Sequence, residues 1–179
     1  MFVDRKRRES GFTLIELLVV VAIVGILSAF VIPNLLDSLN KAKQKRTLGT
    51  IREVGLAWTS WLTDQASAAA AGAGQFDYDA IATITVDDLR QKLISTSGVR
   101  YAADVPTRDA WGHPLSYAEA EDLGSASQAI AIRSFGHDGI EGPTSNPYPM
   151  GAFAVTQYRE DIVWTDGFFV RYPAGVQIK

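Results

Sequence analysis

The run FTLIELLVVVAIVGILSAFVI, Phe12 to Ile32, restricts what this chain can become more than any other stretch. It holds 21 residues, of which only Thr13, Glu16 and Ser28 are clearly polar. As a helix rising 1.5 Å per residue it covers roughly 30 Å, the thickness of a bilayer's hydrocarbon core. Length and composition together predict a transmembrane helix. A secretory signal peptide has a shorter apolar region closed by a small-residue cleavage site. Here Ser28-Ala29-Phe30 is a poor exit signal, and the chain stays apolar through Leu36.

A carboxylate so near the start of such a run needs a partner, because a charge in lipid is costly unless it is compensated. One explanation places Glu16 at the helix start, close to the interface and to the positive end of the helix dipole. The other supplies a cation later. If the chain is cut between Gly11 and Phe12, Phe12 gains a free α-amino group about one helical turn from Glu16 of its own chain, or beside Glu16 of a neighbour. Before the cut, the polar leader of residues 1–11 holds the chain in place. The leader's Arg5, Lys6, Arg7 and Arg8 are nearly balanced by Lys41, Lys43, Lys45 and Arg46 beyond the span. Charge counting alone therefore does not orient the helix.

Gly11-Phe12-Thr13-Leu14-Ile15-Glu16 followed by an apolar helix resembles the type IV prepilin signal of pilins and secretion pseudopilins. The resemblance covers about the first fifth of the chain. It implies that a membrane prepilin peptidase cuts after Gly11 and that Phe12 is then methylated. It also implies that Glu16 pairs with the N-terminus of an adjacent subunit during fibre assembly. The leader would lie inside and the head outside. Pro33 removes the backbone hydrogen bond to Ala29 and is expected to bend the helix. In the family this zone can loosen in the fibre, and Gly25 and Pro33 would bracket it here.

Past Pro33 the pattern turns amphipathic. Leu48, Ile51, Gly55, Trp58 and Leu62 recur at spacings of three and four, so one stripe faces a core. The spacing predicts one helix from Phe12 to about Thr63, with residues 12–33 as the apolar assembly segment and 34–63 as its amphipathic continuation. Residues 64–179 then form an α+β head, in which three or four antiparallel strands lie against the long helix. Within it, residues 64–79 read as a small-residue loop. Thr85 to Asp88 reads as a helix cap, with the helix ending near Gly98. Strands are expected at Pro114–Tyr117, Gln128–Arg133, Asp161–Trp164 and Phe168–Tyr172, the last two around the turn Thr165-Asp166-Gly167.

Charge is divided along the chain. Residues 1–53 carry nine Lys/Arg against five Asp/Glu, and residues 54–179 carry eight against fifteen, a balance of −7. An acidic head repels phosphates, so nucleic acid is not an expected partner. It suits a hard cation such as calcium. The segment Ser134-Phe135-Gly136-His137-Asp138-Gly139-Ile140-Glu141-Gly142 combines oxygen donors with turn glycines. It lacks the acidic spacing of an EF-hand.

A second resemblance bears on this head. Asp109-Ala110-Trp111-Gly112-His113-Pro114 looks like the DPWGNPY motif of the major pseudopilin of type II secretion systems. Ser134 to Gly139 looks like that family's SLGADG loop, and Arg159-Glu160-Asp161-Ile162 sits where it has a DADI-like segment. The resemblance implies a calcium site at Ser134, Asp138 and Asp161. Two departures weigh against it. Arg159 stands where an aspartate is expected and is placed to neutralise Asp138, and a longer loop, 143–158, replaces a glycine-rich stretch. Without the metal, the segment is a connecting loop with solvated acids. Asp109, Trp111 and Gly112 read as ordinary turn and core chemistry.

No cysteine is present, which excludes a disulfide framework and cysteine metal sites. There is no H-E-x-x-H, G-x-S-x-G or phosphate-loop pattern, and the Gly72-Ala73-Gly74 stretch lacks the strand and lysine a phosphate loop needs. His113 and His137 lie in glycine turns, and the chain is expected not to be an enzyme. The resemblance implies a subunit of a type II secretion pseudopilus. It would form a helical homo-oligomeric fibre with minor pseudopilins on an inner-membrane assembly platform, in the bacterial inner membrane and then the periplasm. A type IV pilus subunit for adhesion or motility is the second reading, though no cysteine pair closes a C-terminal loop. A membrane-tethered binding module that never polymerises is the third.

Overall fold

The computed structural model describes residues 11–70, 84–94, 98–119, 130–142 and 150–175. The leader's basic cluster, most of the 64–79 loop and residues 143–149 of the expected long loop lie outside them. The chain divides into two compact units, Met1–Leu39 and Asn40–Lys179.

In the first unit the helix α1 begins at Leu14, and every large apolar side chain from Phe12 to Leu39 is exposed. This stretch is long and apolar enough to cross a membrane. Exposed apolar surface on this scale marks contact with lipid or with other helices. The helix passes through Pro33 without interruption. Beside the missing donor, the Asn34 side-chain amide donates to the Phe30 carbonyl at 3.0 Å, and Ser38 Oγ donates to the Asn34 carbonyl at 2.9 Å. Side-chain donors of this kind satisfy backbone groups around a proline in an apolar medium.

In the second unit α1 continues to Ala70, seven residues past the predicted end. Asp64 to Ala70 is DQASAAA, and alanine is the strongest helix former. Its small residues read as a loop signal, but they extend the helix. The predicted stripe holds. Leu48, Ile51 and Trp58 are buried, joined by Val54, with Leu62 partly buried. They pack on Leu115, Tyr117, Ile130, Ile132, Ile162, Trp164 and Phe169. Trp58 and Tyr117 meet with ring centroids 6.3 Å apart, tilted by 58°. Burial pushes the Tyr117 phenol well up, so it remains a neutral donor, bonded to the Pro106 carbonyl at 2.6 Å.

The short helix α2, Val86–Leu93, is capped by Thr85, whose hydroxyl accepts from the Asp88 backbone N–H at 3.2 Å. Its Leu89 and Leu93 enter the core. The five strands are β1 Leu115–Glu119, β2 Ile130–Ser134, β3 Gly151–Phe153, β4 Ile162–Thr165 and β5 Phe168–Pro173. Their order across the sheet is β1-β2-β4-β5-β3. The first four in that order are antiparallel as expected, and β3 adds a parallel pairing with β5 at the edge. The sheet is therefore mixed. Asp166 and Gly167 both take positive φ, 46° and 105°, which matches the tight two-residue turn that an Asp-Gly pair favours between antiparallel strands.

Candidate functional site

Two places carry the candidate residues, one in each unit. At the start of α1, Gly11 and Phe12 are exposed and precede the helix. Thr13 caps it. The Thr13 hydroxyl accepts from the Glu16 backbone N–H at 3.3 Å, and Glu16 Oε2 accepts from the Thr13 backbone N–H at 2.9 Å and its hydroxyl at 2.7 Å. This reciprocal arrangement is a capping box, written in the sequence as T-x-x-E. It explains why the helix begins at Leu14 and not at Phe12. Glu16 thus has a specific local partner, Thr13, at the helix start. The Thr13-x-x-Glu16 spacing that encodes this cap is present in the sequence.

Oε1, the second Glu16 oxygen, has no hydrogen bond among the described residues. The cap leaves that oxygen open toward a further donor. The peptide bond between Gly11 and Phe12 lies outside the helix, and both residues are exposed.

In the second unit, three segments singled out in the sequence come together. Asp109 joins the first two. Its Oδ1 accepts from the backbone N–H of Trp111 at 3.0 Å and of His113 at 2.9 Å, which folds the Asp109–His113 turn around the carboxylate. Its Oδ2 accepts from Ser134 Oγ at 2.7 Å. The turn is also pinned to α1, where Thr47 Oγ1 accepts from the Ala110 N–H at 3.2 Å. The His113 ring meets the His137 carbonyl at 3.1 Å. Gly139 has φ 67°, and a Cβ there would collide with the His113 ring.

The third segment closes the other side. The His137 N–H donates to the Tyr158 carbonyl at 2.7 Å. Gly136, at φ 65°, lies so close that a Cβ would sit 2.8 Å from the carbonyl oxygens of Tyr158 and Glu160. Asp161, 2% exposed, accepts the Gly142 N–H on Oδ2 at 3.0 Å. Gly136 requires glycine both for its close backbone approach and for its positive φ. A cleft of about 450 Å³ opens beside this junction, lined by Asn40, His137 and residues 156–160.

Of the three residues expected to hold calcium, Ser134 is fully buried with its hydroxyl directed to Asp109. Its oxygen also accepts from the Gly136 N–H at 3.3 Å. Asp138 is half-buried and accepts the Ile140 N–H on Oδ1 at 3.3 Å. Among the described residues, no three acids or histidines lie close enough together to hold a metal ion. The ion pair considered between Arg159 and Asp138 does not form, and Arg159 is exposed. Glu160 pairs instead with Arg171. Asp109, read from sequence as turn chemistry, is the residue that joins the loops.

The family model described as "Prokaryotic N-terminal methylation motif" matches residues 6–32. The chain is 30% identical to the type II secretion system core protein G of Pseudomonas aeruginosa, across 82% of this chain and 96% of the relative. It is 31% identical to the protein of the same name from Aeromonas hydrophila, across 77% and 90%. The type IV major pilin protein PilA of Myxococcus xanthus is 40% identical, but over 32% of this chain and 26% of its own. No solved structure matches. The similarity to core protein G runs through the head as well as the helix, and the chain belongs to the type II secretion system core protein G family.

Proposed function

We propose that this chain is the major subunit of a type II secretion pseudopilus. It would be cut after Gly11, methylated on Phe12 and polymerised through residues 12–39. The observation that carries the reading is the extent of the similarity, which takes in the head motifs. The pilin match is confined to about a third of the chain and does not favour a surface pilus. The role is structural, without catalysis. Its partners are the prepilin peptidase, further copies of itself, minor pseudopilins and the inner-membrane assembly platform, with no nucleic acid. The leader lies on the cytoplasmic side of the inner membrane and the head in the periplasm. The test is the intact mass of the protein recovered from membranes with and without the peptidase. A chain beginning at methylated Phe12 only when the peptidase is present is expected. A chain beginning at Met1 in both preparations overturns the reading.

Calcium belongs to the same proposal. The buried Ser134 hydroxyl does not fit as a ligand. Asp138 and Asp161, with carbonyls of the glycine turns, would hold the ion and stiffen the junction between residues 134–142 and 158–161. Saturating calcium should then raise the melting temperature of the full chain by about 5 °C over the chelated protein. Asp138→Asn should remove that difference. Identical melting with calcium and with chelator would sink the calcium assignment alone.

A further inference from the structure

The stretch of α1 just past the apolar span carries a feature that assembly through residues 12–39 leaves unused. Lys43, Lys45 and Arg46 are exposed and form no ion pair within 4 Å among the described residues. Gln44 and Thr47, interleaved with them, are buried at 3% and 0% exposure against the head. The buried side fixes this turn of helix, and the three cations fan over the rest of its circumference. No acidic residue occurs between Asp37 and Glu53.

The last exposed apolar residue of the span is Leu39. Chain length alone, whatever the arrangement of the two units, holds Lys43 within about 14 Å of it, and about 6 Å if helical. The polar headgroup layer on each side of a bilayer is about 5–7 Å deep. Apolar residues from Phe12 to Leu39 would make about 42 Å of helix, more than a hydrocarbon core of about 30 Å, and the excess is absorbed by tilting or sinking. Both effects bring the cations to headgroup level. Beyond residue 54 the balance is −7, so the rest of the head is repelled from an anionic surface.

We infer that Lys43, Lys45 and Arg46 form a basic collar that binds anionic phospholipid headgroups where the head leaves the membrane. The collar rests on the membrane-anchor reading of the span. The opposite charge of the remaining head keeps the collar side toward the bilayer, and a subunit entering a fibre must release these headgroups. An acidic surface of a neighbouring copy is the competing partner. The position directly after lipid-facing residues favours lipid, because the collar meets headgroups in every unassembled subunit.

The test reconstitutes the full processed chain into vesicles of phosphatidylcholine, with and without phosphatidylglycerol, and compares the association of the two lipids in spin-labelled form. At low salt phosphatidylglycerol should be preferred about fivefold, and the preference should shrink toward none at high salt. K43Q/K45Q/R46Q should abolish the preference and K43R/K45R/R46K should keep it, both with the wild-type melting temperature of the head. Equal association of the two lipids with the wild-type chain, or a preference unchanged in the glutamine variant, overturns the collar while leaving the anchor intact. A chain that fails to float with either vesicle overturns the anchor and the collar together. Lipid indifference combined with loss of fibres in the glutamine variant overturns the lipid assignment in favour of a neighbouring copy.

Discussion

Substituting Glu16 by alanine is expected to abolish fibres while leaving cleavage after Gly11 intact. The Gly11–Phe12 bond precedes the helix, and the substitution leaves both residues of that bond in place. In the proposed fibre the carboxylate would act in two ways. It accepts the Thr13 N–H, which fixes where the helix starts. Its second oxygen has no hydrogen bond among the described residues, and the α-amino group that cleavage would create at Phe12 is the cation proposed to occupy it. In that fibre a neighbouring subunit's amino group, held there in an apolar bundle, would set the register between helices. Glutamine separates the two contributions. Glu16→Gln keeps a carbonyl oxygen for the cap and removes the charge. If charge pairing sets the register, both variants should appear in the membrane at the cleaved mass and leave the sheared fibre fraction empty. Normal fibres from Glu16→Gln would show that the cap, and not the charge, is what assembly needs.

The parts of this structure that were legible in the sequence are those fixed by local period and turn chemistry. The 21-residue apolar run, the stripe from Leu48 to Trp58 and the Asp166-Gly167 hairpin are each written in contiguous residues. What was not legible depends on contacts between distant segments. The edge strand β3 is only three residues long and exists because it pairs with β5, some twenty residues later. Asp109 resembles any turn aspartate until β2 brings Ser134 to its second oxygen. The end of α1, at Ala70, departs from the local loop signal for a different reason. Alanine and serine are common in loops, yet in an unbroken run without proline the helix propensity of alanine prevails. Small residues are ambiguous in sequence, and their meaning is set by what approaches them.

Gly55 is the sharpest case of that ambiguity, and Gly55→Ala should lower the melting temperature of the head by roughly 10 °C. In an exposed helix the same change stabilises by about 1 kcal/mol, because alanine orders more readily than glycine. Gly49, six residues earlier in α1, has nothing within 4 Å of a new Cβ, and Gly49→Ala should show that gain. At Gly55 a Cβ would lie 2.6 to 2.8 Å from three atoms of the Trp164 indole. The ring cannot retreat easily. Trp164 is 1% exposed and sits on β4, paired with Ile132 of β2 and Phe169 of β5. Forcing an atom into such a packed contact costs about 3 kcal/mol, which exceeds the propensity gain. The helix approaches the sheet closely here because residue 55 has no side chain. Trp164→Phe removes the outer ring that the new Cβ would strike, at its own cost in buried area. In that background Gly55→Ala should cost less than about 1 kcal/mol, a coupling well beyond the scatter of independent sites. Additive losses in the double variant would mean that the destabilisation arises in the helix itself and not in its contact with the sheet.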